Sequence, residues 1–125
     1  TEPIPNLDIK GTFHLDKGYY YFRNIENRIL LGGGRNLDFD GETTTELNQT
    51  EIIQNRLEEL LKEVILPEID FKIAHRWSGI MGIGSSKNPI VEQLSDHVFC
   101  GVRLGGMGVA IGSLIGKEVA ELVTL

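Results

Sequence analysis

Six glycines, Gly101, Gly105, Gly106, Gly108, Gly112 and Gly116, fall within one short stretch, "GVRLGGMGVAIGSLIGKEVAELV", whose apolar part runs on to Val123. Glycine has no Cβ, so such a run brings backbone N–H groups close to a ligand and adopts positive φ freely. A helix opening from it adds a partial positive charge and unpaired donors, which together make an anion cradle. The position of the run is the strong constraint. A Walker loop needs Gly-Lys-Ser/Thr next, and "GGMGVAIG" is not followed by it. A dinucleotide-binding fold needs a strand–helix–strand unit and a ribose-binding acid about 20 residues on. With neither available, this run does not begin a doubly wound sheet. A second reading stays open on spacing alone, in which Gly112 and Gly116 only allow another element to pack closely on the helix.

At 125 residues, the chain is long enough for one core. A hydrophobic fraction of 41% is too high for intrinsic disorder. The longest uncharged apolar stretch, Leu104 to Gly116, is about 13 residues and too short for a bilayer, so no membrane span is expected. The net charge of −6 argues against nucleic acid as a partner. One cysteine, Cys100, suits a reducing compartment, hence a cytoplasmic location, and reads as a small buried hydrophobe. His14, His75 and His97 are scattered, and no metal site is expected. The chain starts on Thr1 and reaches "EPIPNLDIKG" without a lead-in, which reads as a piece of a longer protein.

Aromatic and aliphatic residues predict a hairpin from Tyr19–Arg23 and Arg28–Leu31, with "NIEN" as its turn. Asn48 followed by Glu51 resembles a capping box. Ile52, Ile53, Leu57, Leu60, Leu61, Val64 and Ile65 then make one helical face, which Pro67 stops. "IDFKIAHRWSGI" reads as a strand, "HVFCGV" as a short buried one, and Val109–Val123 as a last helix. The fold class expected is α+β: a mostly antiparallel sheet, one amphipathic helix packed on it, and a C-terminal helix.

Two segments, "HRWSGIMGIGSSKNPIVE" (His75–Glu92) and "HVFCGVRLGGMGVAIGSLIGKEVAELV", resemble the C-terminal end of the glycine oxidase and D-amino-acid oxidase family of FAD-dependent oxidoreductases. "GYYYFRNIENRILLGGGRN" resembles the substrate-domain hairpin of that family, so the likeness runs from about Gly18 to Val123. The resemblance implies that the pyrophosphate-binding turn lies in an N-terminal FAD-binding domain, absent from this chain. The terminal glycine loop would be a second element, contacting the flavin through Gly105, Gly106, Met107, Gly108 and Val109. Residues 9–104 would be the substrate-binding part, and 105–125 the flavin-contacting loop and helix. On its own, such a fragment is expected to be inactive.

The departures from that family pattern bear on substrate. Aligned on Trp77, Ser78 and Gly79, the arginine that grips the substrate carboxylate is replaced by Met81. Arg76 and Arg103 are candidates to supply the charge from elsewhere. No cysteine stands where some relatives bond the flavin, so FAD is expected to be held non-covalently. The lysine of some relatives after the glycine loop is Ala110, and their Asp-Gly before the proline is Lys87–Asn88. The family's hairpin tyrosine falls at Tyr21, or at Tyr20 after a one-residue slip; a tyrosine that merely packs on the sheet is the plain alternative. Trp77 is expected beside the substrate. The activity implied is oxidation of the C–N bond of a small amine or amino acid. The rival is a stand-alone α+β interaction or dimerisation module without catalysis.

Overall fold

In "GYYYFRNIENRILLGGG" side chains alternate across a strand pair, and the computed structural model, which describes residues 1–124, forms the hairpin there. Strands β2 (Tyr20–Ile25) and β3 (Arg28–Gly33) pair antiparallel, from Tyr20 opposite Gly33 to Ile25 opposite Arg28. The turn is therefore only Glu26 and Asn27, tighter than expected, with Glu26 at φ 52°. A strand not expected from the sequence, β1 (Thr12–Leu15), adds to the other edge of β2. It is four residues long, with Phe13 stacked on Phe22 at a centroid distance of 4.6 Å.

The first residues are tied into the fold. Ile4 N–H donates to the Asn27 carbonyl at 2.7 Å, and Glu2 N–H donates to Lys72 at 2.8 Å. Ile4 and Leu7 are buried in the core with Tyr20, Ile29, Leu60, Leu61, Ile65 and Leu66. The "IDFKIAHRWSGI" segment, expected as a strand, carries no regular secondary structure and forms no strand ladder. Its alternation survives in packing, since Phe71 and Ile73 lie against the core.

Helix α1 spans Glu51–Leu60 and continues as a π turn over Leu61–Ile65. The expected capping box does not form. Thr50, not Asn48, is the N-cap, and its hydroxyl donates to Glu42 at 3.0 Å instead of capping the helix. The wider π turn, closed by Leu66 N–H to Leu61 C=O at 2.8 Å, changes which residues face inward. Leu66 is the most buried of the core hydrophobic residues, at 1% exposure, whereas Ile52 and Val64 from the expected apolar face are exposed.

Beyond Gly79 a second unit forms, distinct from Thr1–Ser78. Here β4 (Ile90–Ser95), also not expected from the sequence, pairs antiparallel with β5 (Val98–Val102). Helix α2 (Gly108–Val123) packs on this pair. The close contact is at Gly101, where a Cβ would stand 2.7 Å from Ile115 Cγ2 and 2.8 Å from Val119 Cγ2. The helix covers one face of the pair only, so β5 is half-buried rather than buried, with Val98 and Val102 exposed and Cys100 intermediate. The class is α+β, with two separate antiparallel sheets in place of one. Among the described residues, no helix is long and apolar enough to cross a membrane.

Candidate functional site

The glycine loop is built from left-handed backbone between β5 and α2. Arg103 has φ 59°, Gly105 58° and Gly106 84°. Positive φ thus falls at Gly105 and Gly106, whereas Gly108 opens the helix in ordinary backbone. Met107 is the N-cap; its N–H donates to Leu104 at 2.9 Å, and its carbonyl accepts from Ala110 and Ile111 at 2.9 and 3.1 Å. The amides of Gly108 and Val109 lie ahead of those first helical bonds. Among the described residues, no side chain caps this end. A Cβ on Gly105 would meet nothing within 4 Å, so the loop's outer surface is open backbone. Val109 beside it is fully exposed.

Two further predicted residues sit against this loop. Met81 Sδ is 3.6 Å from where a Gly106 Cβ would be. Arg103 extends along the preceding segment, and its Nε and Nη2 donate to the Asn88 carbonyl at 3.2 and 2.8 Å. Its guanidinium is therefore engaged by the protein.

The remaining predicted residues belong to the first unit. Tyr20 is 4% exposed and part of the core, whereas Tyr21, on the opposite face of β2, is 46% exposed. Opposite Tyr21 is Gly32, whose missing Cβ leaves room for the ring: a Cβ there would be 2.9 Å from Tyr21 Cε2. Arg76 lies in the irregular "IDFKIAHRWSGI" segment and its Nη2 donates to Glu58 of α1. Trp77 follows it, 65% exposed.

Sequence reasoning missed Gly32, Gly82, Gly84 and the Asn88 carbonyl. A signal was present for two of them. Gly82 and Gly84 are two residues apart, and the Cβ positions of both face Arg103.

A family model described as FAD dependent oxidoreductase matches residues 1–122. A probable oxidoreductase OrdL of Rhizobium meliloti is 30% identical over 82% of this chain and 22% of its own length. A second probable oxidoreductase OrdL, from Haemophilus influenzae, is 24% identical over 83% of this chain and 21% of its own length. The chain thus spans about a fifth of the curated relatives it matches. No solved structure matches. With nearly every residue inside the family match, and a glycine loop ahead of its last helix, the chain belongs to the FAD-dependent oxidoreductase family.

Proposed function

We propose that this chain is the substrate-side and flavin-contacting portion of an oxidoreductase that oxidises the C–N bond of an amine. The observation that carries the reading is the loop Gly105–Val109. Its residues fit a flavin: open backbone at Gly105, left-handed turns at Gly105 and Gly106, and the amides of Gly108 and Val109 at the start of a helix. Amide donors at a helix N-terminus favour the negative charge that a flavin gains on reduction. Bound FAD supplies the acceptor for a hydride from the carbon beside the amine nitrogen, leaving an imine. A GxGxxG turn and the adenosine contacts are assigned to a further domain of the parent protein, and the flavin is held without a covalent bond.

The substrate class follows from the arginines. A buried carboxylate needs a cation or costs several kcal/mol, on the order of the desolvation penalty of an ion. Met81 is uncharged, Arg76 is bonded to Glu58, and Arg103 is bonded to Asn88. Exposed Tyr21 and Trp77 offer aromatic surface to a small apolar molecule. With neither arginine free, an amine that lacks a carboxylate is favoured over a simple α-amino acid. The test is a substrate screen of the full-length parent with glycine, D-alanine, N-methyl amino acids and simple primary and secondary amines. Preferred turnover of the amines is expected. Fast turnover of glycine or D-alanine, insensitive to Arg76→Ala and Arg103→Ala, would overturn it.

A further inference from the structure

We infer that Arg103 is a positioning residue: a brace that ties the stretch Gly82–Asn88 to the glycine loop and so sets where Met81 stands. Its value for catalysis rests on the flavin reading of the loop given above. The brace itself rests on contacts within one unit.

Three contacts on one residue define it, one through its backbone and two through its side chain. A Cβ on Gly82 would be 3.3 Å from Arg103 Cα, so the two backbones run against each other. A Cβ on Gly84 would be 2.8 Å from Arg103 Cδ and 2.9 Å from Nη1, so the guanidinium lies in the space that glycine leaves. At its end, the planar fork donates twice to the Asn88 carbonyl, at 3.2 and 2.8 Å. That carbonyl is a fixed anchor, because Pro89 follows with its locked φ and β4 begins at Ile90. Arg103 also takes left-handed backbone, φ 59°, which a non-glycine residue adopts only when its surroundings hold it there.

The chemistry of arginine suits this role. Two N–H groups in a rigid plane can reach one acceptor together, whereas the ammonium of lysine is a point charge on a flexible stem. Charge-assisted bonds of this kind are about twice as strong as neutral ones. The consequence lies at the near end of the braced stretch, where Met81 Sδ rests 3.6 Å from the Gly106 Cβ position. Releasing Arg103 frees the stretch and, with it, Met81. An arginine acting as the substrate's counter-ion would instead need its fork free.

The test uses the full-length protein with trypsin, which can cut after Lys87 within the braced stretch, and with amine kinetics. Arg103→Lys keeps the charge but loses the fork. Gly84→Ala keeps Arg103 but drives a methyl group into its side chain. Each is expected to speed cleavage at Lys87 by roughly tenfold, the weight of about one charge-assisted hydrogen bond. Each should also raise KM for the amine substrate, while kcat and flavin content change less. In an Arg103→Ala background, Gly84→Ala should add nothing, because the atoms it collides with are gone. Wild-type behaviour of Arg103→Lys in both readings would overturn the brace, and so would a fully additive Gly84→Ala. Cleavage at Lys87 without any change in KM supports the brace and counts against the flavin reading of the loop instead.

Discussion

The two units use apolar residues in opposite ways. Residues Thr1–Ser78 gather Ile4, Leu7, Tyr20, Ile29, Leu60, Leu61, Ile65 and Leu66 into one buried cluster. In the second unit, among the described residues, only Ile115 is a buried hydrophobe, while Ile80, Ile83, Leu94, Val109 and Leu114 are exposed. The first unit is organised around a core of its own. The second is organised around backbone, with its glycines setting loop geometry, and it carries the open loop proposed to meet the flavin.

The comparison can be broken most forcefully at Gly33. Its φ is +115°, and a Cβ would stand 1.9 Å from the Tyr19 carbonyl oxygen. Gly33→Ala should cost on the order of 4 kcal/mol and melt the hairpin with the core beneath it. Chemical denaturation of full-length protein, read alongside hydrogen exchange over Tyr20–Gly33, would check this. A stability change below roughly 1 kcal/mol would show that the hairpin is not what holds the unit together.

Leu66→Ala comes next, with an expected loss of about 3 kcal/mol from the emptied core position. In the second unit, Gly101→Ala should cost about 1–2 kcal/mol by overpacking against Ile115 and Val119. Its hydrogen-exchange signature should stay within β4, β5 and α2, whereas that of Leu66→Ala stays within Thr1–Ser78. If either substitution loosened both units equally, the division between them would fail. The smallest effect belongs to the ion pair of Arg76 with Glu58. Both partners are over 40% exposed, so a double-mutant cycle should give about 0.5 kcal/mol of coupling.

What was legible in the sequence follows the same division. The β2–β3 hairpin and helix α1 announce themselves by period, because a core selects apolar residues at fixed spacing. The α+β class and helix α2 were legible for that reason too. Register within those elements was not. The π turn after Leu60 rotates Leu66 inward and Val64 outward, and nothing in the spacing of "LLKEVIL" marks it. Strands β1 and β4 escaped notice because each takes its identity from a partner strand more than from its own pattern. Thr50 rather than Asn48 is the N-cap, and its hydroxyl is spent on Glu42, eight residues back along the chain, a contact no local pattern marks.

At the candidate site, the loop Gly105–Val109 was legible from its glycines, but its conformation was not. Nothing in the spacing separates Gly105 and Gly106, which take positive φ, from Gly108, which opens the helix. The states of the two arginines were beyond sequence reasoning. Whether an arginine is free or engaged depends on Glu58 and Asn88, which lie 18 and 15 residues away along the chain.

The central claim is that the open backbone at Gly105 meets the flavin, and Gly105→Asn in the full-length protein tests it most directly. Asparagine tolerates the left-handed φ of 58° better than other side chains, and apart from its two chain neighbours no atom of the described residues lies within 4 Å of the Cβ position. The fold should therefore survive, as circular dichroism and the melting temperature would report. The new side chain should instead occupy the space proposed for the flavin. Flavin absorbance per polypeptide should then fall, or the rate of flavin reduction by an amine should drop by roughly tenfold or more. Wild-type flavin content together with a wild-type reduction rate, in a variant that melts normally, would contradict the account.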